Sequence, residues 1–157
     1  MGMPSKRLVA VAIAAMTLSV SPAAQQRSAD PSVDVYKTPT CGCCSKWIDH
    51  MRSAGFRVRF TDMPQAELDK LKAKHGVPAI AHSCHTALTS GYVLEGHIPA
   101  SEVKRLLREK PKVVGLAVPG MPPGSPGMEV AQPRLPPYDV LSFDKQGKTS
   151  VFSTQRP

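Results

Sequence analysis

The sequence predicts a single mixed α/β domain, on three observations. An alternating stretch, a helical stretch and a second alternating stretch follow one another between Asp34 and Phe60, the pattern of a β-α-β unit. Short strands and an amphipathic helix then follow up to Lys110. The chain has 157 residues, enough for one ordinary domain and little more.

The elements can be justified in order. Asp34-Val35-Tyr36-Lys37 alternates apolar and polar and forms a short strand, ended by Thr38-Pro39-Thr40. Thr40 is a candidate N-cap for a helix starting near Cys41, with Trp47, Ile48 and Met51 at helical spacing and Gly55 as its C-terminal stop. Phe56 to Phe60 alternates strictly and is the second strand, so the helix between makes a parallel, right-handed crossover. Glu67 to Lys74, with Leu68, Leu71 and weakly Ala73 apolar, is a short helix stopped by Gly76 and Pro78. Ala87 to Gly96 reads as a hairpin turning near Ser90-Gly91, while His82 to Thr86 has no clear period. Pro99 to Lys110 is an amphipathic helix with Val103, Leu106 and Leu107 facing inward. This β-α-β-α-β-β-α succession is that of a thioredoxin-like fold.

After Pro111 the texture changes. Val113 to Val130 is apolar but rich in Pro, Gly and Met, and it is expected to be an ordered loop lying over the domain. Tyr138 to Phe143 and Thr149 to Phe152 alternate around Asp144-Lys145-Gln146-Gly147 and predict a C-terminal hairpin.

The other end of the chain has the features of an export signal. Lys6 and Arg7 precede an apolar run from Leu8 to Met16, and Ser21-Pro22-Ala23-Ala24 supplies small residues for cleavage after Ala23. The run is short for a spanning helix. The expected organisation is a signal peptide over 1–23, a linker over 24–32 and the domain over 33–153, in a protein that is not membrane-integrated once the signal is removed. Cleavage removes two basic residues and no acidic ones, so the net charge falls from +8 to +6. The basic residues are dispersed and no patch interleaves them with aromatics, which excludes nucleic acid as the expected partner.

All four cysteines lie in the exported part: Cys41, Cys43, Cys44 and Cys84. Three within one turn cannot staple distant loops, so redox or metal chemistry is expected instead of a disulfide framework. The cluster begins a helix, where unpaired N–H groups and the helix dipole stabilise a thiolate. Cys41 and Cys44 form a C-x-x-C pair able to close a disulfide or to chelate. Cys43 is a third thiol, which would compete in a dithiol enzyme but suits a soft metal.

Cys84-His85-Thr86 precedes the third strand and, in a thioredoxin-like plan, abuts the cysteine cluster. That plan usually has a proline at the place of Thr86; Pro78 lies eight residues too early to fill it. Cys84 is then a fourth thiol, against the alternative of a small core residue. His85 reads equally as a ligand or as a strand-end histidine. Met121 and Met128 are soft thioether candidates for Cu(I), against packing of the loop on the domain. His82 reads as a solvated loop residue, His97 as structural, and His50 and His75 as surface residues. Trp47 reads as core.

Four blocks carry a family resemblance: Val35 to Cys44, Ser83 to Ala87, Gly91 to Ala100, and Gly115 to Glu129. Together they resemble the exported metal-binding family catalogued as a domain of unknown function, which includes the CopG proteins of bacterial copper-resistance systems. The resemblance runs from about Val33 to Phe152. It implies a thioredoxin-like fold, a periplasmic location and a role in copper handling, with Cys41, Cys43, Cys44 and Cys84 as metal-site residues.

Three functions are in competition. In the first, these four thiolates hold Cu(I), one ion or more, with His85, Met121 or Met128 completing the shell. Oxidation of Cys41 and Cys44 would couple binding to copper redox conversion, and partners would be other periplasmic copper-handling proteins. In the second, the protein is a thiol–disulfide oxidoreductase in which Cys41 attacks and Cys44 resolves. In the third, Cys41, Cys44, Cys84 and His85 form a zinc site, which leaves Cys43 unused.

Overall fold

In the computed structural model, residues 31–132 and 134–157 are described, together with Gly2. The expected signal peptide apart from Gly2, and all of the expected linker except Pro31 and Ser32, lie outside the described residues. The elements are β1 (Ser32–Lys37), α1 (Gly42–Ser53), β2 (Arg57–Asp62), α2 (Gln65–Lys74), β3 (Thr86–Thr89), β4 (Tyr92–Glu95), α3 (Ala100–Glu109), β5 (Gly115–Ala117), β6 (Tyr138–Phe143) and β7 (Thr149–Gln155), with a 3₁₀ turn over Ala79–Ala81. Strand β1 thus starts one residue before the expected domain, and β7 ends two residues beyond it.

The strands make one seven-stranded mixed sheet in the order β2-β1-β3-β4-β5-β6-β7. The β1–β2 pair is parallel, as the β-α-β pattern requires. Strand β3 runs antiparallel to both β1 and β4. The hairpin between β3 and β4 turns at Ser90-Gly91, both at positive φ.

Alternation along the strands divides the core between two faces. Val33, Val35, Ala87, Leu94, Leu116, Val118 and Val140 pack with Trp47, Ile48 and Met51 of α1 and Ala100, Val103 and Leu106 of α3. Val93, Ala117 and Phe143 form a second cluster with Val77 and Ala81 of the connection that follows α2.

Three local readings are corrected. The N-cap of α1 is Cys41, not Thr40, because Cys41 N–H closes a turn on Thr38 O at 3.1 Å. The segment after Pro111 is not wholly loop, because Gly115–Ala117 forms β5, parallel to β4. All three of its residues are buried, so it shows no alternation to read. On α2 the residue buried one turn after Leu68 is Lys72, whereas Ala73 is exposed.

Candidate metal centre

The site is built by four chain segments. The first is the entry to α1, where Cys41 caps the helix and Cys43 and Cys44 follow in its first turn. Cys41 and Cys44 are joined in a disulfide, and Cys44 is fully buried. Cys43 is a free thiol, and its sulfur lies 3.6 Å from that of Cys41.

The second segment is Ser83-Cys84-His85, immediately before β3. Cys84 is also a free thiol, half-buried beneath the α1 cluster. The sulfur atoms of Cys41, Cys43, Cys44 and Cys84 all lie within 4.8 Å of one another. Burial pushes the Cys84 thiol up to about 12, and the nearby Cys43 sulfur pushes in the same direction. A soft metal ion would supply the positive charge that this thiol lacks for ionisation.

The third segment is Gly96-His97, just beyond β4. Nε2 of His97 lies 2.8 Å from the Cys84 sulfur, and its Nδ1 is 2.7 Å from the carbonyl of Pro126. A carbonyl accepts only, so Nδ1 carries the proton and Nε2 of the neutral ring is left as a lone-pair donor facing Cys84. His85 Nδ1 lies 3.4 Å from the same sulfur. Its Nε2 is buried with no hydrogen-bond partner among the described residues, and its ring packs 4.4 Å from the Trp47 ring. Burial holds both imidazoles below their ordinary pKa, most strongly at His85, where the charges of His97, Lys72 and Lys37 add to the effect. Neutral imidazole is the form that binds a metal. The donor atoms of Cys44, Cys84, His85 and His97 also lie within 4.8 Å of one another.

The fourth segment is the loop that follows β5. Its Met121 is half exposed and places its sulfur 3.8 Å from that of Cys43. Its Gly127 has φ +89°, and a Cβ there would meet Cys43 O at 2.7 Å and Trp47 N at 3.0 Å. The loop can lie this close to α1 only because that position has no side chain.

Most of the residues singled out in the sequence therefore come together: Cys41, Cys43, Cys44, Cys84, His85 and Met121. Met128 is tied to the loop through its backbone, with N–H to Ser125 O at 2.8 Å and C=O to Gly124 N–H at 2.9 Å. No contact of its sulfur with the thiols is found among the described residues. His97, expected to be structural, stands inside the site. His82 is exposed. His50 is not a plain surface residue, since its Nε2 accepts the Ala100 N–H at 3.0 Å.

The fit to a metal is chemical. Four sulfurs from cysteine, one thioether and two neutral imidazoles make a soft donor set, suited to Cu(I) and, in its Cys₂His₂ part, to zinc. The arrangement also offers a dithiol–disulfide pair within reach of two further thiols.

The chain is similar to known proteins. The profile of a family described as "Protein of unknown function, DUF411" matches residues 81–128, the stretch that holds Cys84, His85, His97 and Met121. Two solved structures named copper resistance protein CopG are similar over most of the chain. Form 1 is 39% identical, covers 82% of this chain and 100% of its own, and superposes with a TM-score of 0.74. Form 2 is 41% identical, covers 80% and 98%, and gives a TM-score of 0.72. Among curated proteins none matches.

Proposed function

The chain belongs to the DUF411 family that includes the copper resistance protein CopG, and from that premise we propose that it is an exported, periplasmic copper-binding protein serving copper resistance. Cu(I) is held by the thiolates of Cys41, Cys43, Cys44 and Cys84, with His85 and Met121 beside them and Met128 as the remaining candidate. The observation that carries the reading is the convergence of four cysteine sulfurs within 4.8 Å of one another. Thiolates can bridge, so such a cluster accommodates more than one Cu(I). Two Cu(II) ions become two Cu(I) when the Cys41 and Cys44 thiolates join as a disulfide, which balances the electrons. The protein would thus change the valence of its cargo as well as hold it.

The sheet order β2-β1-β3-β4, with β1 and β2 parallel and β3 and β4 an antiparallel hairpin, supports a thioredoxin-like core within the larger sheet. Export is supported by the leader pattern in the sequence. No helix among the described residues is long and apolar enough to cross a membrane.

The test is an anaerobic titration of the reduced protein with Cu(I) against a competing chelator, with bound metal and free thiols read together. Tight uptake with loss of all four reactive thiols is the expected result. Weak uptake with Cys41 and Cys44 cycling normally would transfer the function to thiol–disulfide exchange. That second reading is favoured by the Cys41–Cys44 disulfide itself. Under it, a variant with Cys43→Ser and Cys84→Ser keeps full insulin-reducing activity; under the copper reading the same variant loses stoichiometric binding.

A further inference from the structure

The segment that brings Cys84 and His85 to the thiols of α1 is not yet part of a strand, since β3 starts at Thr86. Beneath it, on the sheet face opposite α1, lies an ion pair between Lys72 of α2 and Glu95 of β4, with 1% and 0% of the side chains exposed. Lys72 Nζ donates to Glu95 Oε1, to Ser83 O at 3.1 Å and to Thr86 Oγ1 at 3.0 Å. Glu95 Oε1 also accepts the Ser83 N–H at 2.7 Å, and Oε2 accepts the Thr86 hydroxyl at 2.7 Å. All three ammonium protons are used, and both carboxylate oxygens are engaged.

We propose that Lys72 and Glu95 are positioning residues for the metal site, fixing Ser83 and Thr86 so that Cys84 and His85 between them face α1. The inference rests on the reading that Cys84 is part of that site. Both backbone polar groups of Ser83 end on this pair, and the side chain of Thr86 closes the other end of the bracket. On the remaining side the Ser83 hydroxyl donates to Gly120 O, and Gly120 N–H donates to His82 O at 3.1 Å. Gly96 completes the clamp: it has φ +76°, and a Cβ there would strike the Ser83 side chain and Val118 O.

The energetics point the same way. A buried ion pair loses most of its Coulomb gain to desolvation, so the charge attraction itself adds little to stability. What the charged network adds is direction. Its groups bond specific atoms of Ser83 and Thr86, which apolar contacts cannot do. One residue of β4 braces Cys84, and the next turn of the same chain delivers His97 to it.

The experiment uses the Cys43→Ser protein with the Cys41–Cys44 disulfide closed, where Cys84 is the sole free thiol. Lys72→Met with Glu95→Leu removes both charges at similar volume. The expected result is a folded protein with a lowered Tm, because the Ser83 backbone and the Thr86 hydroxyl lose their partners, and alkylation of Cys84 by iodoacetamide roughly tenfold faster. In the reduced protein with all four cysteines, the same pair of substitutions is expected to lower Cu(I) affinity roughly tenfold, and that loss should vanish when Cys84→Ser is also present. An unchanged alkylation rate, or an equal loss of affinity with and without Cys84, would overturn the proposal. Should the double variant fail to fold, Thr86→Val removes one strut alone and must speed alkylation about threefold; no change would count equally against it. Failure of the parent to bind Cu(I) would reject the copper reading, while the alkylation arm still decides the bracing role.

Discussion

The Cys84 sulfur lies 2.8 Å from Nε2 of His97 and 3.4 Å from Nδ1 of His85, so two neutral rings each turn a ring nitrogen toward one thiol. His97 is held there by the Pro126 carbonyl, which fixes its tautomer. Replacing His97 by Ala is therefore expected to weaken Cu(I) binding by roughly 10–100-fold, the usual cost of losing a group that sets a metal site's geometry. Chelator competition with the reduced variant measures it; an unaltered affinity would return His97 to a purely structural role. At this scale the cysteines were readable because three of them share one helical turn, a short-range signal. His97 was not, because its meeting with Cys84 depends on strand register. The register was nonetheless available in outline. The hairpin turns at Ser90-Gly91 and pairs Thr86 with Glu95, and two more steps along each strand bring Cys84 opposite His97. The methionines show the limit of such reasoning, since both lie in one Pro/Gly-rich loop and nothing local distinguishes Met121, which reaches Cys43, from Met128.

Helix α1 serves the site at one end and the fold at the other. Its C-terminus closes with Gly55 N–H on Arg52 O at 2.9 Å and Phe56 N–H on Met51 O at 3.1 Å, the paired bonds of a Schellman motif. The stop at Gly55 was legible for that reason. A second junction was not: His50, on the same helix, accepts the Ala100 N–H and so caps α3 from outside, where Pro99 offers no side-chain cap. Loss of this cap in His50→Ala is expected to cost about 1 kcal/mol. The effect has a pH signature. Burial lowers the His50 pKa, with the Glu129 charge acting in the opposite direction, so folding favours the neutral ring that accepts the bond. Its contribution is present above the unfolded pKa of about 6.5 and is lost as pH falls through the folded value. Urea unfolding at pH 8 should separate the two proteins by about 1 kcal/mol, and at pH 5 the gap should narrow toward zero. A gap independent of pH would mean that His50 acts by packing alone. Elsewhere the element order was readable from period and turn chemistry, but β5 and Lys72 were not. A three-residue strand buried on both faces has no alternation, and a lysine gives no local sign that a glutamate on β4 will meet it.

Across the molecule, the site joins parts of the chain that are distant in sequence: the α1 entry, the turn before β3, the end of β4 and the loop after β5. Those four segments also flank the centre of the sheet, with Trp47 at their meeting point donating its indole N–H to Ile98 O at 2.8 Å and packing on His85. A ligand gripped by all four should therefore stabilise the domain as a whole, instead of ordering one loop. Linkage sets the size of the effect: free Cu(I) at 100 times its dissociation constant stabilises the form that binds it by about 2.7 kcal/mol. For a domain of this size, at about 4 °C per kcal/mol, the Tm of the reduced protein should rise by roughly 10 °C. The disulfide form has two of its four thiols committed to one another, so its shift at the same free Cu(I) should be markedly smaller. Anaerobic thermal melts of both forms, read by far-UV circular dichroism, make the comparison. Equal shifts would show that the Cys41–Cys44 pair does not contribute to binding and would leave Cys43, Cys84 and the imidazoles to hold the metal. A large shift confined to the reduced form would tie Cu(I) affinity to the redox state of one helix turn, so that closure of the disulfide loosens the grip on the Cu(I) it yields.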